Sequence, residues 1–239
     1  MNIALLTAAG SGTRMGQDIP KQFLTVNEIP IIVYTMQEFQ HHAEIDEILV
    51  VCLEGYETIL RAYAKQFNIT KLTSIVKGGE TGQESIYNGI CELKKNHDPS
   101  DLVLVHDGNR PLVSDKIISD CIDTARKYGS AVAVIPCQEA MMTTEDGIVS
   151  LENIARERLR RTQTPHGFSL GKIDELHRLA KEKGINNATA TCTIMMDLGE
   201  SVHFYSGSEK NLKITTLEDL DIFRALLESK RPEWLKKRQ

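Results

Sequence analysis

Short, continuous apolar runs alternate with amphipathic stretches from Asn2 to Ile135. The runs predict buried strands, and the stretches with apolar residues three or four positions apart predict helices. The predicted strands are Asn2–Thr7, Glu47–Cys52, Leu72–Val76, Leu102–Val105 and Ser130–Ile135. The predicted helices are Ile31–Phe39, Tyr56–Phe67, Ser85–Lys95 and Ser114–Lys127, the last capped by Ser114. This order predicts an α/β fold with a doubly wound, mostly parallel sheet.

The alternation breaks over residues 136–163, where polar and β-prone residues flank Glu145-Asp146-Gly147, a hairpin turn signal. This pattern predicts a β-arm of about residues 138–161 that protrudes from a single domain of residues 1–239. Beyond the arm we expect helices at Ser169–Lys183 and Thr189–Leu198, strands at Val202–Tyr205 and Leu212–Ile214, and a final helix capped by Thr216.

Composition narrows the class of protein. The chain has 239 residues, a net charge of −5 and 41% hydrophobic residues, which argues against a surface that coats nucleic acid. Its five cysteines form no C-x-x-C pair, as expected for reduced thiols. No apolar run approaches the ~20 residues of a membrane span, and no basic segment resembles a signal peptide. We therefore expect a cytoplasmic protein with neither a membrane nor a nucleic acid as its partner.

The turn after the first strand is rich in glycine and carries two cations. Gly10 and Gly12 permit a close approach of the backbone to a ligand, and successive amides in such a loop can surround an anion. Arg14 and Lys21 add positive charge, with Pro20 stiffening the approach to the lysine. The loop is neither a Walker loop nor a dinucleotide fingerprint. It suits a nucleoside triphosphate, although a bare glycine turn with solvated cations would look similar.

The segment from His106 to Pro111 follows another buried strand directly. Because ligands bind at the carboxyl ends of strands in such sheets, Asp107 should face the same crevice as the glycine-rich loop. A carboxylate there suits Mg²⁺, which takes one or two carboxylates together with phosphate oxygens. Arg110 could bind a second phosphate. A salt-bridged turn is the structural alternative.

These motifs, with Gly78–Ser85, Thr162–Phe168 and Asn211–Thr215, resemble those of the sugar-phosphate nucleotidylyltransferases. The resemblance is strongest to the cytidylyltransferases that act on methylerythritol phosphate and ribitol phosphate, and it spans nearly the whole chain. It implies a Rossmann-like sheet of the nucleotidyltransferase type, a CTP substrate, Mg²⁺ and a homodimer joined through the arm.

The resemblance also implies a role for particular residues. Catalysis would fall to Arg14, Lys21 and Lys213, and the metal to Asp107. The nucleotide-binding residues would be Ala8, Ala9, Gly10, Gly12, Gly79, Glu80 and Ser85. The acceptor-binding residues would be Arg110, Arg156, Thr164 and Thr189, with Arg156 acting across the dimer interface.

The expected reaction is the transfer of CMP from CTP to a small polyol phosphate, with release of pyrophosphate. A phosphate monoester is nearly dianionic at neutral pH, since its second pKa is about 6, so it needs no general base. Ala140 and Ala190 stand where the family has hydrogen-bonding residues, and Asn109, Gly82 and His166 also depart from its pattern. We therefore expect an acceptor of the ribitol- or glycerol-phosphate type, with methylerythritol 4-phosphate as the alternative.

Two other functions are compatible with a sheet of this kind. A glycosyltransferase that uses nucleotide sugars predicts an Asp-x-Asp metal motif, which the segment at His106–Asn109 lacks. A catalytically inactive nucleotide-binding module is favoured by the departures at Gly82 and Ala190, and disfavoured by the presence of Arg14, Lys21 and Lys213.

Overall fold

Buried apolar strands form the central layer of the protein. A computed structural model describes residues 1–10 and 19–229. The strands in these ranges are β1 (Asn2–Ala8), β2 (Thr25–Val26), β3 (Ile29–Pro30), β4 (Glu47–Cys52), β5 (Leu72–Lys77), β6 (Leu102–Asp107), β7 (Ser130–Pro136), β8 (Met141–Thr143), β9 (Glu152–Ile154), β10 (Arg160–Ser169) and β11 (Phe204–Ser206). The helices are α1 (Ile31–His41), α2 (Glu57–Gln66), α3 (Gly82–Leu93), α4 (Asp115–Tyr128), α5 (Leu170–Glu182), α6 (Thr191–Asp197) and α7 (Leu217–Glu228).

Seven of the described strands form one sheet in the order β11-β7-β10-β6-β1-β4-β5. All neighbours are parallel except β10, which runs antiparallel to both β6 and β7. Strands β2 and β3 form a small hairpin, and so do β8 and β9. The strand β1 therefore lies near the middle of the sheet, and its carboxyl end meets that of β6.

Helices cover both faces of the sheet. On β1, Ala4 and Leu6 pack on the side of α1, α2 and α4, whereas Ile3 and Leu5 pack on the side of α3, α5 and α6. Because a strand buried on both faces needs apolar residues at every position, its sequence is a continuous rather than an alternating apolar run. The predicted α/β, doubly wound, mostly parallel fold is confirmed.

The predicted helix caps are also present. The Ser114 hydroxyl accepts a hydrogen bond from the Ile117 amide at 3.4 Å, and α4 ends at Gly129, whose φ of +80° suits glycine. The Thr216 hydroxyl caps α7 by accepting from the Asp219 amide at 3.3 Å. No helix in the described part of the chain is both long and apolar enough to cross a bilayer.

The strand predictions beyond Ile135 need correction. The ten-residue strand β10 was not predicted, because its first half is polar and it is held by two neighbours rather than by its own apolar content. Residues 212–214 were predicted as a strand, but they belong to no strand of the structure. The first of the two predicted short strands is present as β11, which begins at Phe204 rather than Val202. In the arm, the hairpin is present with every residue of β8 and β9 exposed, but the loop is longer than the three-residue turn signal suggested.

Candidate active site

A crevice opens at the carboxyl ends of β1 and β6. Its first part, the β1 lobe, has a cavity volume of about 200 Å³ beside the end of β1. Its second part, the β10 lobe, has a cavity volume of about 130 Å³ beside the start of β10. Asp107, Lys213 and Thr189 line both lobes, so a molecule in one lobe would meet a molecule in the other at these side chains.

Asp107 is the electrostatic centre of the crevice. Its Oδ1 accepts a hydrogen bond from Lys213 Nζ at 2.8 Å, and its Oδ2 accepts from Arg110 Nε at 2.9 Å. Burial acts to raise the pKa of Asp107, but the charges and hydrogen bonds of Lys213 and Arg110 outweigh it and hold that pKa well below its usual range. The carboxylate is therefore ionised at neutral pH.

A buried histidine fixes the backbone around this carboxylate. Nε2 of His106 lies 3.1 Å from the Arg110 carbonyl oxygen, and Nδ1 lies 3.0 Å from the Thr164 hydroxyl. Because a carbonyl only accepts, Nε2 must carry the proton, and the Thr164 hydroxyl donates to Nδ1. Burial lowers the pKa of His106 to about 4, so the ring is neutral and unsuited to act as an acid. The same Thr164 oxygen accepts from the Asp107 amide at 3.0 Å.

Lys213 lies in a segment without regular structure, residues 211–215, which we call the Lys213 segment. Arg110 Nη1 donates to the Asn211 carbonyl at 2.7 Å, and the Ile214 amide donates to the Asn109 carbonyl at 2.9 Å. The side-chain amide of Asn109 also donates to the Ile214 carbonyl. The loop after β6 therefore holds the Lys213 segment at three points, and Asn109 supplies two of them.

The turn after β1 is held by a residue that sequence reasoning did not select. The Gln22 side chain is 2% exposed and its Nε2 donates to the carbonyls of Ala8 at 2.7 Å and Gly10 at 3.1 Å. These bonds join the beginning of the loop to its end. They hold the neighbouring Lys21 in the wall of the β1 lobe. In the sequence, the role of Gln22 is indicated only by the position of a polar residue between Lys21 and the buried Phe23.

The start of α3 forms the far wall. The Ser85 hydroxyl accepts from the Gly79 amide at 3.0 Å, and the Thr81 hydroxyl caps the helix by accepting from the Glu84 amide at 3.1 Å. Gly78 packs against the Ala9 side chain so closely that a Cβ there would collide with it. Gly79 and Glu80 line an adjoining depression that shares Ala9 with the β1 lobe.

Comparison with known protein families gives a match over nearly the whole chain. The family model described as IspD: 2-C-methyl-D-erythritol 4-phosphate cytidylyltransferase matches residues 2–229. The chain belongs to this family. The family resemblance inferred from the motifs is thus confirmed.

Relatives of this IspD family member carry two different names. A protein of Lacticaseibacillus paracasei named ribitol-5-phosphate cytidylyltransferase is 38% identical, over 96% of this chain and 99% of that protein. A protein of Clostridium novyi named 2-C-methyl-D-erythritol 4-phosphate cytidylyltransferase is also 38% identical, over 95% of this chain and 97% of that protein. The crystal structure of 4-diphosphocytidyl-2C-methyl-D-erythritol synthase from Anaerococcus prevotii matches with a TM-score of 0.81 and 24% identity, covering 95% of this chain and 96% of that chain. The last likeness shows the fold.

The structure brings most of the predicted site residues of this family member together. The β1 lobe is lined by Ala8, Ala9, Gly10, Lys21, Ser85, Asp107, Thr189 and Lys213. The β10 lobe adds Arg110 and Thr164. Gly12 and Arg14 lie outside the described residues. Arg156 lines neither lobe; it is exposed in the arm, where Nη1 donates to the Gln138 carbonyl at 3.1 Å.

The described side chains of the crevice could hold a divalent cation only together with oxygen atoms of a bound molecule. No group of three or more His, Cys, Asp or Glu side chains that could hold a metal occurs in the described residues. Asp107 is the carboxylate among the described residues that line the two lobes. One carboxylate together with phosphate oxygens is a donor set that Mg²⁺ accepts, so the site fits this ion when a phosphate is present.

Proposed function

We propose that the protein transfers CMP from CTP to a polyol phosphate of the ribitol- or glycerol-phosphate type, forming a CDP-polyol and pyrophosphate. The observation that carries the proposal is the meeting of two lobes at Asp107 and Lys213. One lobe has the glycine-rich wall that suits a nucleotide, and the other is lined by hydroxyl and cationic side chains that suit a polyol phosphate. The family membership and the relatives named ribitol-5-phosphate cytidylyltransferase support it.

Methylerythritol 4-phosphate is the second candidate acceptor, favoured by the relatives that carry its name. The residue at the start of α6 argues for the first candidate. Ala190 lines the β10 lobe, so the loss of a hydrogen-bonding side chain there falls inside the site. A site that discriminates by hydrogen bonds to a hydroxyl loses that discrimination when the polar group is removed.

The proposed reaction is a displacement at the α-phosphorus of CTP. An oxygen of the acceptor phosphate forms the new P–O bond, and the bond from the α-phosphorus to the bridging oxygen breaks, with its electron pair leaving on pyrophosphate. Because the attacking oxygen is already anionic, catalysis requires positioning and neutralisation of charge rather than a base. Lys21 and Lys213, with Arg14, would supply the positive charge.

The acceptor would be held in the β10 lobe. Within the described residues, two of the guanidinium nitrogens of Arg110 are engaged by Asp107 and Asn211, which leaves Nη2 for the acceptor phosphate. Thr164 and Thr189 would bind the polyol chain. On the other side of the crevice, Gly79, Glu80 and Ser85 would contact the base and ribose of CTP.

Mg²⁺ is proposed as the cofactor, held by Asp107 and the phosphates of CTP. When bound, the ion neutralises phosphate charge. Asp107 is positioned for this because its amide and its neighbour His106 are fixed by Thr164. Lys213 and Arg110, which contact the same carboxylate, would lie close to the phosphates that share the ion.

The decisive experiment incubates the protein with CTP, Mg²⁺ and a panel of ribitol 5-phosphate, glycerol phosphates and methylerythritol 4-phosphate, and measures pyrophosphate release. We expect turnover with ribitol or glycerol phosphate at a higher kcat/KM than with methylerythritol 4-phosphate. Removal of the metal with a chelator should stop turnover, and added Mg²⁺ should restore it.

Lys213→Met tests the chemical role within the same assay. Loss of one preorganised cation should lower kcat by a few hundredfold, about 3 kcal/mol of transition-state stabilisation. Lys210→Met is the matched control, since Lys210 is exposed three residues away and lines neither lobe. Similar losses in both variants, or none in either, would contradict the assignment.

The proposal includes a homodimer formed through the arm, in a cytoplasmic enzyme whose five cysteines are free. The exposed strands β8 and β9 carry Met141, Met142 and Ile154 at their surface, and an isolated two-stranded hairpin is marginal in water. Arg156 beside them would then reach the β10 lobe of the partner subunit.

Mixing two inactive variants tests this arrangement. Lys213→Met and Arg156→Met should each be inactive alone, and the mixture should regain activity, because a mixed dimer contains one site with both residues intact. Sedimentation at micromolar concentration should show a dimer. A monomer, or a mixture without regained activity, would refute the role of Arg156 in the partner's site.

A further inference from the structure

The floor of the β10 lobe contains a buried histidine that the proposed mechanism does not use. His166 lies on β10, opposite Val105 of β6 on one side and Val132 of β7 on the other. It is 3% exposed, yet it lines the lobe together with Thr164 and Thr189. Its backbone is paired with both neighbouring strands.

One ring nitrogen of His166 has no partner. Nε2 is buried and makes no hydrogen bond within the described residues. The backbone of Gln163 acts to raise the pKa of the ring, but burial outweighs it and lowers the pKa to about 4, so the ring is neutral. Nε2 is then an unpaired polar atom of a neutral ring, and it donates or accepts according to the tautomer.

An unsatisfied buried polar atom lowers the stability of the fold, because it has lost its hydrogen bond to water. The other histidine of the site, His106, has partners on both nitrogens. A hydroxyl group both donates and accepts, so it can pair with Nε2 of His166 in either tautomer of the ring.

We propose that Nε2 of His166 forms a hydrogen bond with a chain hydroxyl of the acceptor polyol phosphate and makes His166 a specificity-determining residue. This inference rests on the proposed function. The histidine selects an acceptor with a hydroxyl at the position it faces over one with a methyl group or hydrogen there. It supplies part of the polar discrimination that Ala190 has lost.

The test pairs two variants with a series of acceptors. Wild type, His166→Phe and His166→Gln are compared with ribitol 5-phosphate and with each of its monodeoxy analogues. We expect His166→Phe to lower kcat/KM for ribitol 5-phosphate by about 10- to 100-fold, with the KM for CTP unchanged. For the analogue that lacks the contacted hydroxyl, the same substitution should cost nothing. His166→Gln should recover part of the loss.

His203→Phe is the control. The His203 ring stacks on Tyr128 and lines neither lobe. Any effect of this variant should be the same for every acceptor. Circular dichroism and the melting temperature of each variant identify those that fail to fold, and His166→Gln then replaces His166→Phe in the comparison.

The possible results distinguish a failure of the proposed role of His166 from a failure of the proposed function. If the wild-type enzyme releases no pyrophosphate with any polyol phosphate, the proposed function fails. If it is active but His166→Phe lowers kcat/KM equally for all acceptors, His166 is structural. If the substitution changes nothing, Nε2 is satisfied by water. Each of the last two results overturns the inference and leaves the proposed function standing.

Discussion

At the scale of single residues, the site is organised by the ion pairs of Asp107. Lys213 lies 106 residues away in the chain, yet its Nζ is 2.8 Å from this carboxylate. Asp107 could be selected from the sequence because it directly follows a buried strand, whereas Lys213 was selected only through the family resemblance. Sequence motifs could not select Gln22 or the tautomer of His106, whose roles depend on which carbonyls the fold places beside them.

Asn109 is the residue whose role the sequence left open. Asn109→Ala keeps the backbone bond from Ile214 but removes the side-chain donor, leaving the carbonyl of a fully buried residue without that partner. We expect a stability loss of about 1–3 kcal/mol. We also expect roughly tenfold lower kcat, because Lys213 is less firmly positioned.

Steady-state kinetics and the melting temperature separate the two effects. Asn96→Ala, at an exposed position after α3, is the control and should change neither quantity. If Asn109→Ala lowers the melting temperature but retains full kcat, Asn109 stabilises the fold without positioning Lys213.

At the scale of elements, α1 carries a carboxylate in an unfavourable place. Burial, and then the nearby charge of Asp115, raise the pKa of Glu38 to about 7. The folded state therefore binds this proton more tightly than the unfolded chain, where the ordinary pKa is near 4.5. The stability contributed by the protonated form falls as the pH rises from about 4.5 through 7.

Glu38→Gln keeps the shape of the side chain and removes its charge. We expect the free energy of unfolding of the variant to equal that of wild type near pH 4 and to exceed it by about 1 kcal/mol near pH 8.5, after allowance for partial exposure. Urea titrations at the two pH values measure this. Glu145→Gln, in the exposed arm loop, should show no such difference.

At the scale of the whole molecule, the alternation of apolar strands and helices was enough to predict the layers of the fold. It missed β10 because the segment from Arg160 to Pro165 has no apolar pattern, although its neighbours β6 and β7 bury the rest of the strand. Without β10, the β10 lobe could not be predicted from the sequence. Its residues were predicted one by one from motifs, because the strand that brings them together was missing from the prediction.

Three buried histidines should make the protein sensitive to acid. Burial lowers the pKa of each to about 4 from an ordinary value of 6.5, and the three are His106, His166 and His177. The unfolded chain binds these protons below about pH 6.5, whereas the folded chain does not. Stability is therefore fully present above that pH and is lost as the pH falls towards 4, by up to about 3 kcal/mol for each ring.

The dependence of unfolding free energy on pH measures this effect. Its slope between about pH 5 and 6 counts the protons taken up on unfolding. His177→Phe should reduce that slope by about one proton, even where it lowers stability at pH 7.5. An unchanged slope would show that His177 is not a source of the acid sensitivity.

The central position of β1 has a consequence for the synthesis of the chain. β1 is translated first, but its two neighbours in the sheet are β4 and β6, and the latter ends at Asp107. At about 5–20 residues per second, the ribosome needs roughly 5–20 s to supply that partner. Throughout this interval the apolar run Ile3–Leu6 lacks one of its two neighbouring strands. Synthesis of the chain from Asp107 to Lys213, which completes the ion pair, then takes about as long again.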